Sequence, residues 1–321
     1  MSETIRQLAI ISRAEFLLPN LGSLIMGLAW GASPPLSLTE MIILVVLSFT
    51  IINLSSAIGA QANTISDYEL DSKDERKKEL IQALDRFGHN RLKQVLIVEF
   101  AVTLALVVVF MLAKTKPTLL LLWIVGISLG CLYSAPPLRI KSRSWLAPVT
   151  LILVLAVFPI LFAYFSFTSE LNPLFLLALA GLASTVYGVI IPTETRDYFG
   201  DKAMGIETMT VCLGLAKASL LGIILLSFGA TLIGVAFFVT FILGHYPVLS
   251  LSVLTIAIAD AIVLRKLKKL YKLSKEYERS GRHPIAREIT SFSANNPKWI
   301  MVVTQTYSLI SIIMLVSKFI H

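Results

Sequence analysis

Gln94-Val-Leu-Ile-Val-Glu-Phe-Ala-Val-Thr-Leu-Ala-Leu-Val-Val-Val-Phe-Met-Leu-Ala113 is a run of twenty residues carrying a single charge, Glu99. Lys114-Thr-Lys116-Pro117 interrupts it, and a second apolar run follows over 118–136. A twenty-residue helix is about 30 Å long, the thickness of a bilayer's hydrocarbon core. Backbone exposed to lipid must satisfy its own hydrogen bonds, so both runs read as helices and the break as a tight turn. This hairpin sets the class of the whole chain.

Outward from it, the same signature recurs over 14–33, 40–62, 147–166, 173–192, 218–240, 247–264 and 299–317. With the first two runs, that makes nine expected spans in one all-α membrane bundle. Composition agrees: 56% of the 321 residues are hydrophobic and 15% are charged, against about 25% charged in soluble domains. No stretch remains for a separate soluble domain. A single transmembrane domain over 1–321 is expected, with acidic loops near 63–93 and 193–217. Residues 3–11 read as a short amphipathic helix on the membrane rather than part of a signal peptide.

Orientation follows from Lys and Arg, which are retained in cytoplasmic loops. In a nine-span arrangement 25 of the 28 basic residues fall on one side, Arg76 among them, and only Lys114, Lys116 and Lys318 fall on the other. This predicts a multi-pass protein of the cell membrane with a cytoplasmic N-terminus and an external C-terminus. It also accounts for the net charge of +8 without a nucleic-acid partner, since these bases need only face anionic lipid headgroups. Cys131 and Cys212 have no metal-ligand spacing, and no disulfide is expected on the reducing side.

Asn63-Thr-Ile-Ser-Asp67-Tyr-Glu-Leu-Asp71 ends the second span. Spacing of four puts Asn63, Asp67 and Asp71 on one helical stripe. Stacked carboxylates repel unless a cation lies among them, and an all-oxygen set suits a hard divalent ion. Glu194-Thr-Arg-Asp197-Tyr-Phe-Gly-Asp201-Lys202 follows the sixth span. Its offsets of three and four again give one face, with Gly200 and Gly205 expected to fray or bend the helix. Either row alone reads equally well as ordinary solvated charge. Their match in spacing, position and side is what favours a joint cation site between pseudo-symmetric halves.

Tyr133-Ser-Ala-Pro136-Pro137-Leu-Arg139-Ile-Lys141 closes the fourth span, the prolines stopping its helix. Arg139 and Lys141 then stand at the rim, where topology alone accounts for them equally well. Beside carboxylates and a divalent ion, they would also complement a diphosphate. The bases over 73–78 and those after the eighth span read better as plain topology.

Taken together, these motifs resemble the UbiA superfamily of intramembrane prenyltransferases. That family has nine helices, an Asn-x-x-x-Asp-x-x-x-Asp motif after the second and another acidic motif after the sixth. Residues 133–141 resemble its loop after helix four, and Gly-Asp-Lys-Ala-Met-Gly-Ile-Glu-Thr at 200–208 resembles its Gly-Asp-x-x-x-Gly-x-x-Thr segment. Arg13 resembles its N-terminal arginine. Three departures stand out. Asn63-Thr64 replaces the frequent Asn-Asp, Glu194 replaces a commoner Asp, and Lys77-Lys-Glu-Leu-Ile-Gln-Ala-Leu-Asp85 replaces an Arg-Pro segment. That last stretch reads as a helix with its own apolar positions, a possible lid.

The resemblance implies Mg²⁺-dependent transfer of a prenyl group from an isoprenyl diphosphate to a lipophilic acceptor within the membrane. It implies Asn63, Asp67, Asp71, Glu194, Asp197 and Asp201 as metal ligands, with the four aspartates central to catalysis. Arg13, Arg139, Lys141, Lys202, Tyr133 and Tyr198 are the corresponding candidates for the diphosphate. The Asn63-Thr64 departure leaves open a cyclase of the same fold that needs no acceptor. A transporter would place its ionisable site near the midplane, whereas these acids sit at the rim. Asp260 and Glu99 are expected to pair at that rim, and His89 to lie in a loop. Asn53 and Gln305 read as interhelical hydrogen-bond partners or acceptor contacts.

Overall fold

A computed structural model of the protein describes residues 3–33, 37–73 and 77–320; Arg76 lies outside the described residues. Helices make up nearly all of them. In chain order they are α1 (Glu3–Ile11), α2 (Leu17–Gly31), α3 (Leu38–Ser66), α4 (Tyr68–Asp71) and α5 (Lys78–Phe87). Next come α6 (His89–Lys114), α7 (Pro117–Ser134), α8 (Leu146–Ile152), α9 (Phe158–Phe167) and α10 (Pro173–Ala203). The chain closes with α11 (Met209–Leu213), α12 (Leu215–Leu243), α13 (Leu254–Ser280), α14 (His283–Ser293) and α15 (Asn296–Ile320).

Among the described residues, seven helical segments are long and apolar enough to cross a membrane: α3, α6, α7, Leu146–Phe167, α10, α12 and His283–Phe319. The protein is therefore a multi-pass helical bundle. Two of the nine expected spans fall short by length and composition. The first begins with a 3-10 turn over Ala14–Phe16, leaving α2 with 15 residues, about 22 Å of helix. The eighth opens in a 3-10 stretch, Leu249–Val253, and α13 meets Arg265 after only eleven residues.

Apolar residues face outward as well as inward, as lipid permits. Ile97, Leu112, Leu121 and Ile258 are all more than 60% exposed. Between helices in lipid, close packing replaces the hydrophobic drive. A Cβ added at Gly229 of α12 would lie 2.4 Å from the Gly181 carbonyl oxygen of α10, and one at Gly27 of α2 would lie 2.4 Å from Ala163 Cβ of α9. Outside the bilayer the ordinary drive returns. The amphipathic α5 buries Leu80, Ala83, Leu84 and Phe87 with Ile11 of α1 and Leu92 of α6, each large side chain contributing about 1.5–3 kcal/mol. The last basic segment, expected as a loop, is helical: α13 runs on to Ser280 and α14 packs Ile285 and Ile289 against Leu270 and Leu215.

Two rim assignments are corrected. Asp260 is 2% exposed and accepts from Tyr307 Oη at 3.3 Å, inside the bundle rather than among the basic residues. Glu99 accepts from Gln61 Nε2 at 2.8 Å, a contact between α6 and α3. His89 opens α6 rather than lying in a loop. Asn53 makes the interhelical bond expected of it, accepting from Asn20 Nδ2 at 2.9 Å.

Candidate active site

Ser66 ends α3, and Asp67 caps it before the single turn of α4. The break keeps register: Asp67 N–H donates to Asn63 O at 2.9 Å and Asp71 N–H to Asp67 O at 2.8 Å. Asn63, Asp67 and Asp71 therefore remain one turn apart, with Asp67 and Asp71 at 4% and 5% exposure. Glu194, Asp197 and Asp201 all lie within α10, which continues through Gly200 to Ala203. Gly200 does not interrupt it. The reversal falls on Gly205, at φ 68°, where the lack of a side chain makes a left-handed backbone cheap.

The last turn of α7 comes between the two rows. Ser134 Oγ donates to Asn63 Oδ1, and Tyr133 feels the negative charges of Glu194, Asp67 and Asp201 together. Lys141 of the loop after α7 reaches Asp67, and the stretch after α10 carries Thr210, which holds Glu194, so contacts with these two segments hold the rows near one another. A parallel bridge between Ser144 and Thr208 ties the loop after α7 to the loop after α10.

A carboxylate buried without a partner costs several kcal/mol, and the structure supplies partners. Asp67 is paired with Lys141 and, at 3.5 Å, with Arg139. Lys77 Nζ stands 2.6 Å from Asp71 Oδ1. Arg196 donates to both oxygens of Asp197, at 3.0 and 2.9 Å. Glu194 accepts from the Thr210 amide and hydroxyl, at 3.2 and 2.8 Å, and from Tyr187 Oη at 3.3 Å. Among the described residues, no three Asp, Glu, His or Cys side chains form a ready-made metal cage. Burial pushes the Lys141 ammonium below its ordinary range, while Asp67 opposes that shift. Tyr68 donates to Asp85 at 2.8 Å, a bond that raises its phenol and fastens α4 to α5.

Below this rim an apolar cavity of about 320 Å³ opens among α2, α3, α7 and α8–α9. Arg13, Asn63 and Tyr133 stand at its mouth, and Ser56, Gly130 and Phe158 on its walls. Arg13 holds a left-handed backbone at φ 54°. The fifth span bends around the cavity through a π-helical turn over Leu153–Val157, where Phe158 N–H donates five residues back to Leu153 O. Pro159 has no N–H for the next bond, which favours the widened turn.

The profile of the UbiA prenyltransferase family matches residues 20–279 of the chain. The chain belongs to the UbiA prenyltransferase family. Several solved structures share the fold of this prenyltransferase. A structure described as that of digeranylgeranylglyceryl phosphate synthase in membranes aligns with a TM-score of 0.64 at 15% identity, over 97% of this chain and 99% of that one. A UbiA homolog from Archaeoglobus fulgidus bound to GPP and Mg²⁺ gives 0.60 at 18% identity, over 92% and 99%. An apo UbiA homolog from Aeropyrum pernix K1 gives 0.59 at 15%, over 89% and 98%. No curated protein sequence matches the chain significantly.

Within this UbiA prenyltransferase, Asn63, Asp67, Glu194, Asp201, Tyr133, Arg139 and Lys141 gather at the rim. Tyr198 is turned to another flank of α10, packed with Leu215, Leu270 and Ile289. Lys202 reaches back to it, 3.4 Å from the hydroxyl and 5.6 Å above the ring. The sequence reading missed Ser134, Thr210 and Lys77. Lys77 was assigned to topology, and only the fold of α5 against α4 puts it on Asp71. Thr208 carried a usable signal for its neighbour Thr210: it caps α11, accepting from Val211 N–H at 3.3 Å, and so presents the first helical turn to Glu194.

Proposed function

We propose that this protein transfers a prenyl group from an isoprenyl diphosphate to a lipophilic acceptor, with Mg²⁺, at the cytoplasmic rim of a single nine-span domain. The N-terminus is then inside and the C-terminus outside, as the sidedness of 25 of 28 basic residues supports. One observation carries the reading: an apolar cavity reaches up to Arg13, Asn63 and Tyr133, one turn from Asp67 with its partners Lys141 and Arg139. Fold relatives with GPP and Mg²⁺, and one described as a digeranylgeranylglyceryl phosphate synthase, support the same substrates here.

The donor set fits a hard ion. Every candidate ligand offers oxygen, and the positive charge that the buried Asp67 and Asp71 require, held in the resting site by Lys141, Arg139 and Lys77, is charge that a divalent ion would equally supply. Asn63, Asp67 and Asp71 would hold Mg²⁺ on one side and Glu194, Asp197 and Asp201 on the other. Bound there, Mg²⁺ would supply positive charge to the departing diphosphate.

The remaining roles belong to the chain. Lys141, Arg139 and Lys77 neutralise the acids in the resting site, and each can turn to a phosphate oxygen when substrate arrives. Arg13 stands at the cavity mouth to orient the diphosphate, whereas Lys202 would first have to leave Tyr198 to reach it. Thr210 and Tyr187 hold Glu194 in its place. The C–O bond of the substrate breaks toward the rim, and the apolar walls keep water from the allylic cation until the acceptor traps it.

Diphosphate release tests this directly. It should require Mg²⁺ and vanish in Asp67→Ala and Asp197→Ala. Product mass distinguishes transfer from cyclisation, since a cyclised hydrocarbon lacks the acceptor's mass. Solute accumulation in liposomes with no reaction of any prenyl diphosphate would instead establish a transporter.

A further inference from the structure

We propose that the floor of the apolar cavity limits the prenyl tail to three to four isoprene units, roughly 15–20 carbons, with Trp123, Ile51 and Phe162 setting the limit. The inference rests on the function proposed above. Three wall segments measure the depth independently. On α3 the lining runs from Asn63 to Ile51, twelve residues or about 18 Å at 1.5 Å each. On α7 it runs from Tyr133 to Leu122, about 16 Å by the same rise. On α8–α9 it runs from Thr150 to Phe162, again about 18 Å. An isoprene unit adds four chain bonds of about 1.5 Å and reaches about 4–5 Å when extended. With the first carbon held at the mouth, three units approach the floor and four touch it.

The floor is a packed surface rather than a soft one. Trp123 is 5% exposed, donates from Nε1 to Ser55 Oγ at 2.9 Å, and leans on the Phe100 ring at 5.3 Å. That bond fixes the indole across the base of the cavity. Phe162 lies edge-on to Phe110 at 6.1 Å. Beyond them Ser48 Oγ and Ser166 Oγ bond at 3.1 Å, both essentially buried, and pin α3 to α9. Straight on past these residues, a fifth unit meets packed side chains.

Higher up, the path is kept open by an absence. Gly59 lines the cavity one turn below Asn63, and a Cβ added there meets no atom within 4 Å. A larger side chain at 59 would project into the path about 6 Å from the mouth, just past the first isoprene unit. One position therefore shortens the measure, and the floor residues lengthen it.

The test uses the full chain in lipid nanodiscs with Mg²⁺ and isoprenyl S-thiolodiphosphates of five to twenty-five carbons, which bind without reacting. Calorimetric titration should show affinity rising to the fifteen- and twenty-carbon tails and falling by about tenfold or more at twenty-five. Gly59→Leu should move the optimum to ten carbons or fewer, and Trp123→Ala should move it beyond twenty. A flat profile, or an optimum unmoved by Gly59→Leu, overturns the proposal while prenyl transfer stands. Absence of binding at every length sinks the function itself. Should Trp123→Ala fail to fold, Gly59→Leu, an addition into open space, still decides.

Discussion

Replacing Lys141 with methionine removes the nearest counter-charge from Asp67, a carboxylate only 4% exposed. Breaking a buried pair at one partner costs about 3–5 kcal/mol. Arg139 reduces that cost, since it stands 3.5 Å from the same carboxylate. Its side chain is 45% exposed, however, so screening leaves its help at about 1 kcal/mol or less. Lys141→Met should therefore cost about 2–4 kcal/mol. Asp67→Asn removes the acid and keeps its shape, and the freed lysine can turn toward solvent, so the loss should be about 1 kcal/mol. With both changes no charge is stranded. The double variant should be about as stable as Asp67→Asn alone, so the coupling equals the cost of Lys141→Met, about 2–4 kcal/mol. Equilibrium unfolding of the four proteins in mixed SDS and nonionic micelles measures this. A coupling below about 0.5 kcal/mol would refute the claim that Lys141 neutralises Asp67 in the resting site.

Other perturbations follow from the same geometry. Asp71→Asn and Asp197→Asn should each lower turnover by about 10²–10³-fold, read by diphosphate release at saturating Mg²⁺. Chelation with EDTA should abolish turnover in the parent protein, and added Mg²⁺ should restore it; activity indifferent to chelator would contradict the metal assignment. Thr210→Val deletes the hydroxyl that donates to Glu194 at 2.8 Å and should cost about 1–3 kcal/mol of stability, with Thr210→Ser recovering most of it. Gly229→Val brings a Cβ to 2.4 Å from the Gly181 oxygen, so α10 and α12 must part. The variant should lose folded yield in detergent, whereas Gly59→Ala, placed in open space, should not.

Much of the fold was legible because its signals are local. Run length against bilayer thickness located α3, α6, α7 and α12 to within about five residues and the start of α10, which runs eleven residues past its expected end at 192. The first and eighth spans are less regular than their apolar length suggests. An apolar count cannot register that residues 14–16 and 249–253 form 3-10 turns, or that α13 carries its charges onward as continuous helix. The stripe of Asn63, Asp67 and Asp71 was visible as period-four spacing, and it survived a helix break that the spacing did not reveal. Asp260 was misplaced for a different reason. Its neighbours along the chain are basic, but its actual partner, Tyr307, comes from α15.

Hydrocarbon thickness and helical period act on short windows of chain, so the sequence by itself determined a membrane bundle, its sidedness bias and two acidic rows. Whether those rows face each other depends on how α3, α7 and α10 rotate about their own axes against distant neighbours. Only the tertiary structure decided that Tyr133 stands between them, that Lys77 covers Asp71, and that Trp123 closes the cavity. The first and last of these are contacts between helices tens of residues apart, chosen by which small residues let two backbones approach, and even the six-residue reach from Lys77 to Asp71 depends on how α5 folds back beside α4.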